Sequence, residues 1–217
     1  MTTLARFSAL VYTLFVVEVL FVVAAAPGLV VLLLLAPDGR NVPLFVLCAV
    51  PLGPAASAAV YAVHRRGSDL ADLHPARTFL RGYRLNVLGV LRVWLPALVV
   101  LAVLFVSLVN RTAAGVPGWW FWLLVVLASV ILLWSVNAVV ISSLYVFRAS
   151  DVARLAAYFL AHRPGVALGT AGLLLSAGAI TVLASEAFVL LPASLFIAAL
   201  LLVCRPMCAD IERRFVA

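Results

Sequence analysis

Lysine is missing from this sequence, and charge of either sign is scarce. Of 217 residues, 11% are charged and 67% are of apolar type. A soluble domain is typically about 25% charged and about 45–50% apolar. A water-soluble fold of this length could not hide so much apolar surface. Lipid must therefore be the solvent for much of it. No stretch is polar enough for a separate soluble domain, so residues 1–217 read as a single membrane domain.

Acidic residues are the scarcer sign, and the net charge is +7. In so apolar a chain this is no nucleic-acid signature. Every basic residue is arginine, which leaves two readings. One is phosphate or phospholipid binding through the planar guanidinium fork. The other is codon usage in a GC-rich genome, which also explains the abundance of Ala, Val, Leu and Gly.

The chemical motifs of enzymes are missing as well. There is no nucleophile elbow, phosphate loop, carboxylate pair or paired metal ligands. No catalytic residue, cofactor or metal is expected, and the protein reads as a non-enzyme. The three cysteines are Cys48, Cys204 and Cys208. The last two share a helix face, but Met207 and Asp210 do not complete a ligand set around them. All three read as small buried apolar groups. His64, His74 and His162 are spaced unlike ligands and read as solvated surface.

What the chain does have is long apolar runs. A spanning helix needs about 20 such residues, and six stretches qualify. The first runs from Ser8 to Ala36, and Pro27-Gly28 should kink or end it. Its Arg6, apolar run and Ala24-Ala25-Ala26 mimic a signal peptide. Glu18 inside the run, and the apolar residues beyond Pro27, argue for an uncleaved span. The second, Val42 to Val63, carries Pro51, Gly53 and Pro54, and so should be broken. A small-residue run from Ala55 to Ala59 follows the break. The third runs from Leu85 to Val109. The fourth starts at the boundary aromatics Trp119-Trp120-Phe121-Trp122 and ends at Phe147. Gly165 to Val203 is too long for one crossing. Ser185-Glu186 and Pro192 mark a hairpin tip between spans five and six.

Arginine placement sets the orientation. With the N-terminus in the cytoplasm, twelve arginines fall inside. Arg40 and Arg111 fall outside, and Arg92 lies within span three. That is a positive-inside bias for six spans with both termini in the cytoplasm.

Two stretches between spans share a helical pattern. Ala76, Phe79, Leu80 and Tyr83 fall at i, i+3, i+4 and i+7, as do Val152, Leu155, Ala156 and Phe159. Both predict short amphipathic helices on the cytoplasmic membrane surface. Pro75 suits the first turn of one, and Asp151 suits the N-cap of the other. Arg77, Arg81 and Arg84 form one stripe on the first helix, with Arg154 on the second. The stripe suits either anionic membrane lipid headgroups or a cytoplasmic protein partner.

Charge within a span needs a reason. Glu18, Arg92 and Asn137 lie roughly 15, 12 and 16 Å from the cytoplasmic side at 1.5 Å per residue. Matched depth and opposite charge predict a Glu18–Arg92 ion pair with Asn137 as a third member. Such a cluster would fix helix packing or form a substrate site. Otherwise Arg92 reaches back to the headgroups and Glu18 is protonated. The Pro51–Pro54 break could expose backbone groups to a substrate. It reads more simply as a kink with close packing through the alanines.

One segment has a wider resemblance. Gly53-Pro54-Ala55-Ala56-Ser57-Ala58-Ala59-Val60-Tyr61 is followed by His64-Arg65-Arg66. Phe79-Leu80-Arg81-Gly82-Tyr83-Arg84-Leu85-Asn86 then leads into the third span. This resembles the YesL-like family of bacterial integral membrane proteins, and the likeness continues through the second connection and the closing hairpin. The resemblance implies a six-span protein of the bacterial cytoplasmic membrane. Such proteins are often encoded beside carbohydrate ABC importers and polysaccharide-degrading enzymes. It therefore implies an accessory or assembly role in carbohydrate uptake, with importer subunits as partners. The alternatives are a small-molecule transporter or channel, functioning alone or as a homo-oligomer, and a structural or lipid-binding protein.

Overall fold

The computed structural model describes residues 3–35, 41–66, 74–110, 115, 117–183 and 192–213. Among these the regular structure is helical throughout. The helices are α1 (Thr3–Leu34), α2 (Val42–Cys48), α3 (Leu52–His64), α4 (Pro75–Val109), α5 (Gly118–Leu144), α6 (Ala149–His162), α7 (Pro164–Leu183) and α8 (Ala193–Ile211). Five segments are long and apolar enough to cross a membrane, α2 and α3 counting together as one of them. A sixth results if α6 and α7, which meet at 97°, count as one bent span. The expected hairpin tip at Ser185-Glu186 lies outside the described residues, as do Arg40, Arg111 and Arg214.

The outer surface is what lipid requires. Phe15, Leu34, Leu88, Trp122 and Leu175 are all more than half exposed. On a soluble protein such apolar coverage would drive aggregation, whereas in a bilayer it is the solvated face. The protein is membrane-embedded.

Helix α3 is the hub. Ten of its thirteen residues are buried, including Ala55, Ser57, Ala58 and Ala59 of the expected small-residue run. Short side chains let neighbouring backbones approach closely, which is how helices associate when lipid offers no hydrophobic drive. One apolar cluster joins α3 to α1, α4 and α8 around Val17, Phe21, Ala58, Val60 and Phe79. A second joins α4, α5, α6, α7 and α8 around Ile141, Phe159, Cys204, Met207 and Ile211. All three cysteines are free and buried.

Two local expectations need correction and one is narrowed. Of the two outcomes expected at Pro27, ending the helix is ruled out, because α1 continues to Leu34. In lipid the backbone groups beyond a proline have no water to turn to, so continuing the helix is the cheaper course. The first surface helix is not a separate element. It forms the first turns of α4, a single helix of 35 residues, because nothing between Tyr83 and Asn86 interrupts helical geometry. Asp151 is not the N-cap of α6 either. Arg148 holds that position, and Asp151 lies in the first turn, where its charge complements the helix dipole. Pro75 does open α4, as its missing N–H favours.

The arginines gather at one end. Antiparallel packing brings the start of α1 and the ends of α3 and α8 around a common groove lined by Leu10, His64, Arg66, Arg205 and Glu212. At the same end, Arg163 before α7 pairs with Asp210 near the end of α8.

Candidate functional site

The expected cluster of Glu18, Arg92 and Asn137 is not assembled. Glu18 is partly buried in α1, and its Oε2 accepts the backbone N–H of Ser194 at 2.6 Å. Ser194 lies in the first turn of α8, whose leading N–H groups have no partner within the helix. The carboxylate therefore caps α8 from another helix and meets the positive end of its dipole. Arg92 is exposed on the outside of α4. From there its long stem can carry the guanidinium to the headgroup zone. Depth alone does not tell which helix face a residue occupies.

Asn137 is 1% exposed on α5, and neither side-chain atom has a hydrogen-bond partner. Thr170 Oγ1 and Glu18 Oε1 are buried without partners too. Such groups are expensive away from water, so they mark the polar points of the interior. One of them borders an apolar cleft of about 360 Å³. Thr170 lines it directly. Val136, next to Asn137, and Ala193, next to Ser194, also line it, with Phe21 one turn from Glu18. Thr170 is its one polar lining residue.

The break in the second span lies at Ala49–Pro51, slightly upstream of the expected Pro51–Pro54. Gly53 and Pro54 already belong to α3. At the break, Leu47 O accepts the Val50 N–H at 3.1 Å, and Ala49 O accepts both the Leu52 N–H at 3.2 Å and the Trp94 indole N–H at 3.0 Å. Gly53 makes room for the same indole. A Cβ there would lie 2.6 Å from the Trp94 ring. On the other side, a Cβ at Gly28 would lie 2.0 Å from the Cys48 carbonyl oxygen. Trp94 and α1 therefore pack closely at the break, as at a packing kink, and a cleft of about 390 Å³ lined by Gly28, Pro51, Pro54 and Tyr83 lies beside it.

A polar seam joins the hub to its neighbours. Ser143 donates to Ser57 at 2.9 Å, and Asn86 donates to the Ser143 carbonyl at 3.0 Å. The Trp134 indole donates to Ala153 O at 3.0 Å and holds α6 against α5. Tyr145 donates to Glu212 at 3.2 Å. Burial, with Cys208 and Glu212 nearby, pushes its phenol up from the ordinary range and keeps it a neutral donor. Sequence reasoning missed Trp94, Ser143, Thr170 and the Arg163–Asp210 pair. Only the last had a usable signal, two acidic residues, Asp210 and Glu212, among the arginines of the tail.

Arg77, Arg81 and Arg84 are exposed on the arginine-rich end of α4, and Arg154 is exposed on α6. Arg163–Asp210 is the one ion pair among the described residues. Within that set no three His, Cys, Asp or Glu side chains converge as a metal site. In comparisons with known proteins, no family model matches the chain, and no curated protein or solved structure matches it significantly.

Proposed function

We propose that the protein is a non-catalytic accessory component of carbohydrate ABC-type uptake in a bacterial cytoplasmic membrane. It spans the membrane six times with both termini inside, and holds importer subunits through its arginine-rich face. The observation that carries this reading is the form of α4. Arg77, Arg81 and Arg84 lie exposed on the same continuous helix that crosses the membrane. A stripe on a rigid helix is held at fixed height and angle, as docking requires. The YesL-like resemblance supplies the kind of partner.

The interior favours this reading over a transporter. At the span-two break, the Ala49 carbonyl is engaged by both the Leu52 N–H and the Trp94 indole. Glu18 is engaged by the start of α8. Asn137, Thr170 Oγ1 and Glu18 Oε1 keep no partner, and they are the interior polar groups a transporter would have to use.

The test is affinity purification from native membranes in lipid nanodiscs, with mass spectrometry of what co-purifies. Importer permease or ATPase subunits should be recovered in stoichiometric amounts, and lost from a variant carrying R77Q, R81Q and R84Q. Recovery of the protein alone, or of subunits that the triple variant still holds, contradicts the reading.

A further inference from the structure

Beside the arginine-rich end, α1, α3 and α8 enclose an open groove of about 770 Å³. Its walls are apolar, built from Leu10 and Leu14 on one side and Ala199 and Leu202 on the other. Its charged residues sit at the mouth, where Arg66 follows the end of α3 and Arg205 lies in α8. We propose that this groove seats one anionic phospholipid. Its phosphate would lie between Arg66 and Arg205, and its acyl chains would run along α8.

Length supports the assignment. The groove follows α8 from Leu195 to Glu212, roughly 25 Å at 1.5 Å per residue. One leaflet with its headgroup layer is about 20–22 Å deep. The groove therefore reaches from the headgroups to the middle of the bilayer, the dimension of a single lipid.

Charge supports it too. Arg65, next in sequence, is stacked over the Tyr61 ring at 4.8 Å, whereas Arg66 turns to the groove. Glu212 is the one carboxylate at the mouth, and it accepts the Tyr145 hydroxyl. Two guanidiniums against one engaged carboxylate leave the mouth positive. His64 adds a ring N–H. Guanidinium groups suit phosphate oxygens through paired donors. A zwitterionic headgroup would bring a cation to the same place and be disfavoured. The inference does not depend on the carbohydrate-uptake reading.

Native mass spectrometry tests it. The purified protein is released from mixed micelles holding equal amounts of phosphatidylglycerol and phosphatidylcholine with identical acyl chains. One phosphatidylglycerol should be retained per chain. At roughly fivefold per arginine near the surface, the preference over phosphatidylcholine should be roughly thirtyfold. It should fall to near unity in R66Q/R205Q, whose two sites are exposed and compatible with folding. Ala199→Trp should fill the groove and abolish retention of both lipids. The R77Q/R81Q/R84Q variant should keep the wild-type preference. Equal retention of the two lipids by the wild type, or a preference that survives R66Q/R205Q, would overturn the proposal and leave only annular lipid.

Discussion

Two stretches of this chain carry the same apolar spacing and fold differently. Ala76 to Tyr83 merges into a spanning helix, giving the 35 residues of α4. Val152 to Phe159 forms the separate helix α6, which meets α7 at 97°. The difference lies in the residues that follow. After Tyr83 come Arg84, Leu85 and Asn86, all compatible with a helix. After His162 come Arg163, Pro164 and Gly165. A proline biases the residue before it away from helical geometry, and Arg163 adopts φ −123° and ψ 72°. The corner is then secured, since Arg163 pairs with Asp210 and Trp134 holds Ala153. The same pattern buries Val152, Ala156 and Phe159 in α6 but leaves Ala76 and Leu80 exposed in α4. It does not report where the helix ends.

The comparison can be broken most severely at Leu85. Leu85→Pro installs in α4 the interruption that α6 and α7 have naturally. A proline inside a helix costs about 3 kcal/mol or more. Thermal unfolding in detergent should show a loss of that size. An unchanged midpoint would mean that the two parts of α4 are already independent. Gly82→Val comes next. Gly82 is buried where α4 crosses α3, and a Cβ there would lie 2.8 Å from the Tyr61 ring. Overpacking of this kind costs about 1–3 kcal/mol, and the same unfolding assay measures it. Smallest is Asp210→Asn at the α6–α7 corner. Arg163 is 45% exposed, so screening limits the loss to about 1 kcal/mol or less. A larger loss would make the ion pair, rather than Pro164, the main cause of the corner.

Much of the architecture is legible in the residues themselves. The apolar runs, the separate α6, the break near Pro51 and the small-residue hub all follow from composition, spacing and proline chemistry. Among the described residues, Arg66 and Arg205 share one groove at the end of α3. The partners of interior polar groups are less accessible. Glu18 is conspicuous as a charge in an apolar run, but its partner is a backbone N–H of Ser194, and a backbone group has no residue type to recognise. Trp94 fails for a similar reason, since its target is the Ala49 carbonyl. Arg92 has the right depth and the wrong face. Ion-pair reasoning looks for charged side chains, whereas Glu18 and Trp94 find main-chain partners here and Asn137 finds none.

The central claim is that α4's exposed arginines do the work of the protein while its interior polar groups hold the bundle together. The most direct test is radiolabelled sugar uptake by cells carrying either R77Q/R81Q/R84Q or Glu18→Gln, at matched levels of the protein in the membrane. The account expects uptake to fall at least tenfold with the arginine variant and to stay near wild type with Glu18→Gln. Abolished uptake with Glu18→Gln, alongside normal uptake in the arginine variant, would contradict it and place the activity inside the bundle.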